Sequence, residues 1–80
     1  MNRDQKLERQ ILGYIAVNQA PGQPVRLVEI DGYDEATISA HIEIMIADAL
    51  IDGQVIHPLS GGAPYVVHGI TPRGYALLRG

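Results

Sequence analysis

Three histidines, at positions 41, 57 and 68, are the side chains of this 80-residue chain best equipped to hold a metal. His57 and His68 could face each other across a hairpin. Zinc, however, needs about four ligands converging at about 2.1 Å, and a chain with no cysteine and no close histidine pair does not supply them. Nucleophilic chemistry has less support. Thr37, Ser39, Ser60 and Thr71 stand in no pattern that would activate a hydroxyl. Ser60-Gly61-Gly62 is followed by neither a lysine nor a helix start, as a phosphate-cradling loop would be. The residues point to no enzyme, no cofactor and no metal.

Recognition is the remaining chemistry. Ala36, Ala40, Glu43 and Ala47 recur on one side of a helical segment, with Glu35, Thr37 and Ser39 beside them. In a DNA major groove, such alanines would touch thymine methyls and Glu43 would accept from a cytosine amine. Small residues four apart also make a flat strip on which another protein's helix can lie. A third reading is a solvated face of good helix formers. Charge weighs on the first of these: six Lys/Arg meet nine Asp/Glu, a net charge of -3, whereas nucleic-acid-binding domains commonly show a basic patch or a pI above about 9. If DNA is bound, Arg26 and Arg73 are available for phosphates, together with Arg3, Lys6 and Arg9. Those last three spiral along the first helix, where pairing with Asp4 and Glu8 on a solvated face is expected. Ser60, Gly61 and Gly62 form the tip of the loop that would approach a minor groove or a partner.

The elements that position these residues follow from periodicity. Leu7, Ile11, Tyr14 and Ile15 have helical spacing, with Leu12 beside them, and predict a helix from Asn2 to about Gln19. Ala20-Pro21-Gly22-Gln23-Pro24 stops it. Val25 to Tyr33 reads either as a strand, with Val25 and Leu27 alternating, or as a short helix lined by Leu27, Val28 and Ile30. Asp34 is placed to cap the next helix, which runs to about Leu50 and buries Ile38, Ile42, Met45 and Ala49, flanked by His41 and Ile46. Asp52-Gly53 ends that unit. Gln54 to Pro58 and Tyr65 to Ile70 read as strands joined by Ser60 to Pro64. Thr71-Pro72 starts a last short helix, with Thr71 as cap and Pro72 where its missing amide costs nothing.

This order suggests a winged helix, and the residues sharpen it. Thr37-Ile38-Ser39-Ala40-His41-Ile42, then Met45 and Ala49-Leu50-Ile51, resembles the recognition helix of bacterial winged-helix repressors of the arsenical-resistance and multiple-antibiotic-resistance types. Ile70-Thr71-Pro72-Arg73-Gly74 followed by Leu77-Leu78 is similar to the segment that follows their wing. The opening, Arg3-Asp4, Leu7, Arg9 and Ile11-Leu12, resembles a narrower family of short bacterial and phage winged-helix proteins that begin Met-Lys-Arg-Asp. Where the repressors carry Arg or Lys, this chain has Ala40 and Glu43. Their usual glycine is Ala49, and the wing has no Arg or Lys.

The expected protein is thus a single α+β domain over residues 1–80, a winged helix-turn-helix. About three helices and a short C-terminal one would pack with a two- or three-stranded wing sheet. The resemblance implies a DNA-binding transcriptional regulator of phage or mobile-element origin. The alternative is a protein-docking module that does not bind DNA, such as a phage-encoded inhibitor of a host complex. The charged N-terminal run leaves no secretory core, and Ile42 to Ile51 is too short to span a bilayer, so a cytoplasmic protein without a membrane partner is expected. A homodimer is compatible with this reading.

Leu7, Ile11, Ile15, Ile38, Ile42, Met45, Leu50, Val66 and Leu77 are the periodic apolar positions expected in the core. Replacing Ile42 by alanine is expected to cost about 2–5 kcal/mol, read as a lowered circular-dichroism melting temperature. An unchanged melt would mean that the register of this helix is wrong.

Overall fold

The computed structural model describes residues 2–80, so the first residue of the expected 1–80 domain lies outside the described residues. Three helices and a two-stranded antiparallel sheet follow in the order α1 (Gln5–Asn18), α2 (Glu35–Ala47), β1 (Ile51–Val55), β2 (Tyr65–Ile70) and α3 (Pro72–Arg79). The class is α+β. Leu7, Ile11, Leu12 and Ile15 of α1 meet Ile38, Ile42 and Met45 of α2 across a core floored by Ile51, Tyr65 and Val67 of the sheet. Every position expected in the core is buried except Leu77, which is half-buried because the short α3 lies at the rim. Ala49, assigned to the buried stripe of α2, is exposed beyond the helix end.

Helix α1 starts later than the periodicity suggests because Asp4 caps it, its carboxylate accepting from the Leu7 amide at 3.1 Å. The segment 25–33 is neither the helix nor the full strand that its pattern allows. Val25 exchanges both backbone bonds with Val67, at 2.8 and 3.0 Å, as a single isolated bridge. The Val28 amide then donates to the buried Tyr65 hydroxyl at 2.9 Å. Both contacts reach across to β2, and the Val25 carbonyl accepts from Val67 rather than from an amide four residues on, so the stretch runs irregularly. Val28 is buried and Leu27 exposed, so the expected alternation is also absent. Two helices therefore precede the sheet where about three were expected.

The end of α2 is set by a Schellman motif: the Leu50 amide donates to the Met45 carbonyl at 2.9 Å and the Ala49 amide to the Ile46 carbonyl at 3.1 Å. This puts Ala49 in the left-handed region, at φ 58°. Strand β1 begins directly after it, at Ile51 rather than Gln54, since Ile51 is buried opposite Ile70. Asp52-Gly53 is accordingly not a turn but a register shift inside the strand. A Cβ on Gly53 would stand 2.5 Å from the Val66 carbonyl oxygen, which only glycine avoids. Thr71 caps α3 as expected, accepting from the Gly74 amide at 3.0 Å, and also donates to the Ala49 carbonyl at 2.6 Å. Gly74 lies against the Leu50 carbonyl, where a Cβ would come within 2.1 Å.

Left-handed backbone is strained for alanine and open to glycine. Ala49→Gly is therefore expected to raise stability by about 0.5–1 kcal/mol, a rise of a few degrees in the thermal midpoint. An unchanged or lowered midpoint would contradict the left-handed geometry.

Candidate interaction surface

The first turn of α2 is organised by Asp34, whose carboxylate accepts from the Thr37 amide at 2.8 Å. Bonds from the Thr37 hydroxyl and amide hold the Asp34 carboxyl below the usual carboxylate range. From that start the helix turns Ala36, Glu43 and Ala47 fully to solvent, with Thr37, Ser39 and Ala40 half-buried along the same side. Glu35 is exposed as well. The strip therefore carries small side chains, two carboxylates and no cation.

Beside it stands the hairpin. Glu35 and Ser39 line a shallow depression with Gly62, Ala63 and Pro64. A second one, lined by Arg26, Ile56, Pro58 and Gly61, shares Leu27, Gly62, Ala63 and Tyr65 with the first. Of the expected contact residues, the fold thus gathers Glu35, Ser39, Gly61, Gly62 and Arg26, with Ser60 exposed at the same tip. Arg73 does not join them. It lines a separate cleft with Arg3, Glu8 and Asp48, which shares no residue with the hairpin depressions.

That cleft shows the expected pairing of Arg3 with Glu8 but corrects its setting, which is not a solvated face. Glu8 is only 2% exposed. It accepts two bonds from the Arg3 guanidinium, at 2.8 and 3.2 Å, while a third guanidinium nitrogen donates to Asp48. The two carboxylates raise the Arg3 pKa further, Glu8 more than Asp48, so its charge is permanent and each of its three nitrogens is engaged by a carboxylate. Arg3 is removed from the pool of phosphate contacts. Position offers the missed signal: Glu8 falls four residues before Leu12 and one after Leu7, inside the apolar stripe rather than opposite it.

His41 is a structural residue, 1% exposed. Its Nε2 accepts from the Asp4 amide at 3.1 Å, and its Nδ1 lies 2.8 Å from the Thr37 carbonyl. An amide can only donate and a carbonyl only accept, so this pairing uses the tautomer that carries its proton on Nδ1. His57 and His68 do not face each other: His68 sits at the register shift of the hairpin, whereas His57 lies beyond the end of β1. Among the described residues, no three His, Cys, Asp or Glu side chains form a group able to hold a metal.

The family model described as Hypothetical protein (DUF2513) matches residues 2–79. The chain belongs to that family. No curated protein and no solved structure matches it.

In this DUF2513 chain, the polar links that sequence reasoning missed converge on Asp4. One carboxylate oxygen caps α1, and the other accepts from the Tyr33 hydroxyl at 3.1 Å. The amide of Asp4 meanwhile reaches His41 of α2. Asp4 thereby joins α1, the connector and α2. The Leu7 amide, and after it the Tyr33 hydroxyl, hold its carboxyl below the usual range, against the opposing effect of desolvation. Tyr33 is raised, by desolvation first and then by its bond to Asp4. Among the described residues, no helix is long and apolar enough to cross a membrane.

Both capping aspartates have folded pKa values below the unfolded value of about 3.9. Their stabilisation is therefore complete above that value and is lost as pH falls through the folded values beneath it. The thermal midpoint is expected to drop as pH falls below about 4, and Asp4→Asn with Asp34→Asn to flatten that drop. A parent midpoint that stays level down to about pH 3 would overturn this.

Proposed function

We propose that this DUF2513 protein is a winged-helix module that docks on another protein through the exposed face of α2. The winged-helix reading is supported by the order of α1, α2, the β1–β2 hairpin and α3, and by the Val25–Val67 bridge, which stands where a third strand would pair. It is also supported by the resemblance of Thr37 to Ile42 and of Ile70 to Gly74 to repressor segments. The helix that would precede the recognition helix is reduced here to an irregular connector.

One observation carries the choice of partner: the face of α2 that would enter a groove presents Glu35 and Glu43 among alanines, and no cation. A phosphate backbone is repelled by such a face, since binding affinity rests on neutralised phosphates. Small side chains let the backbone of a second helix approach closely. The carboxylates at its margins select lysines or arginines, and a charge pair across an interface sets orientation and partner choice. The partner that fits is a basic amphipathic helix of another protein. A cytoplasmic setting suits this reading and a chain with no cysteine. The phage-encoded inhibitor of a host complex is one form such a module takes.

A DNA-binding regulator is the second reading, favoured by one observation: Arg26 lies beside the glycines of the wing tip. So few cations would give modest affinity and a shallow salt dependence, a slope of about 0.9 per phosphate contacted.

A photo-cross-linking residue at Ala36, installed in cells that encode the protein, separates the two. The expected adduct is a protein segment whose mass-spectrometric sequence is a Lys/Arg-bearing amphipathic helix. Ala40→Arg should abolish the adduct while leaving the melting curve unchanged. A parent chain that binds DNA from around its own gene at physiological salt, and is weakened by Ser39→Ala, would overturn protein docking.

A further inference from the structure

We infer that the wing side of this protein is a self-association surface on which a second copy of the chain docks about a two-fold axis. The inference rests mainly on the hairpin side and shares Glu35 with the α2 strip. Leu59 is 107% exposed, Leu27 43% and Val55 39%. All three belong to the hairpin side: Leu59 rides in the turn closed by the Gly61 amide and the Pro58 carbonyl, Val55 ends β1, and Leu27 is common to both depressions. Among the described residues the remaining exposed large hydrophobic, Val17, stands apart on α1. A leucine with no contact at the tip of a wing gains nothing for the monomer, whereas inserting it into an apolar floor removes it from water.

The charges along the furrow say what covers it. The two depressions adjoin, with Leu27, Gly62 and Ala63 common to both. Arg26 lines one part and Glu35 the other, the single cation and the single carboxylate along its length. In a two-fold interface, residue i meets residue j and j meets i, so the patch must complement itself. A furrow with one cation at one end, one carboxylate at the other and an apolar floor between meets that condition when turned on itself. Arg26 then faces Glu35 of the partner subunit, twice over, while each Leu59 enters the opposite floor. The outer edge of β1 has no further strand in the two-stranded sheet, so the backbone leaves room for approach.

A patch this small gives a weak dimer, with a Kd on the order of 10–100 µM. Sedimentation of the purified chain from about 5 µM to about 1 mM tests it. The mass should climb from 8.7 kDa toward twice that value. Leu59→Asp should hold it at the monomer value with an unchanged melting curve, since the side chain touches nothing in the monomer. Arg26→Glu and Glu35→Arg should each weaken association by about tenfold. Mixing those two variants should restore it, because each then supplies the charge that the other lacks. A parent that stays monomeric throughout would overturn the inference, as would a dimer indifferent to Leu59→Asp or singly substituted chains that do not recover on mixing. Each of these outcomes is read on the isolated chain and leaves the cross-linking result at Ala36 free to stand or fall separately.

Discussion

Tyr65 is the side chain on which the arrangement depends. It begins β2, its ring is buried in the core, and its hydroxyl cannot be buried without a partner. The partner is the amide of Val28, 37 residues earlier. That bond and the Val25–Val67 bridge fasten both ends of a short stretch of connector to β2. The residues between them bridge the two attachments in irregular backbone, with Leu27 turned outward and Arg26 in solvent beside the hairpin. Asp31-Gly32 and the caps at Asp34 then redirect the chain into α2. The buried hydroxyl and the bridge together hold the start of this connector against β2, with a hydrophobic side chain and a cation beside the hairpin.

A second constraint acts at the opposite end of the molecule. Burying Glu8 requires a counter-charge with good geometry, because an unpaired carboxylate in the interior is prohibitively costly. Arg3 meets this with two bonds and turns its remaining nitrogen to Asp48 at the end of α2. Among the described residues, no buried polar side-chain atom is left without a partner. The bridge ties the segment before α1 to the C-terminal cap of α2, while the Asp4–His41 bond ties it to the middle of the same helix. Two attachments along α2 fix its axis against α1, and they also consume a cation that a DNA-binding surface would need.

The parts of this structure legible in the sequence are those decided locally. Asp34 and Thr71 are readable as caps because the amide each one binds lies three residues away. The buried faces of α1 and α2 follow from helical periodicity alone, and the extent of β2 from its run of branched residues. What was not legible depends on distant partners. Nothing near Val25 announces that Val67 will pair with it, and nothing near Val28 announces a tyrosine hydroxyl. The early start of β1 depends on Ile51 finding Ile70, and Gly53 looks like a turn residue until the Val66 carbonyl is beside it. The same division runs through the interaction surface. Ala36, Ala40 and Glu43 could be placed on one face from spacing, and that face is outward. That Arg26 would join Glu35, Ser39 and Gly62, whereas Arg73 would not, is a matter of topology, which spacing does not carry.

The joint between α2, β1 and α3 explains how the exposed face of α2 can be rigid in so small a protein. Leu50 is its centre. Its amide closes the Schellman motif on Met45, its carbonyl accepts from the Thr71 amide at 3.3 Å, and Gly74 packs directly on that carbonyl. The Thr71 hydroxyl meanwhile donates to the carbonyl of Ala49 and accepts from Gly74, so one side chain spans the end of α2 and the start of α3. Such an arrangement leaves α2 little freedom to pivot against the hairpin, because any rotation breaks backbone bonds on both sides at once. The strained alanine at position 49 is held by this joint: three hydrogen bonds over-determine a conformation that it would not adopt alone. The strip on α2 and the hairpin beside it therefore keep one relative orientation, which would lower the ordering cost for the partner proposed above.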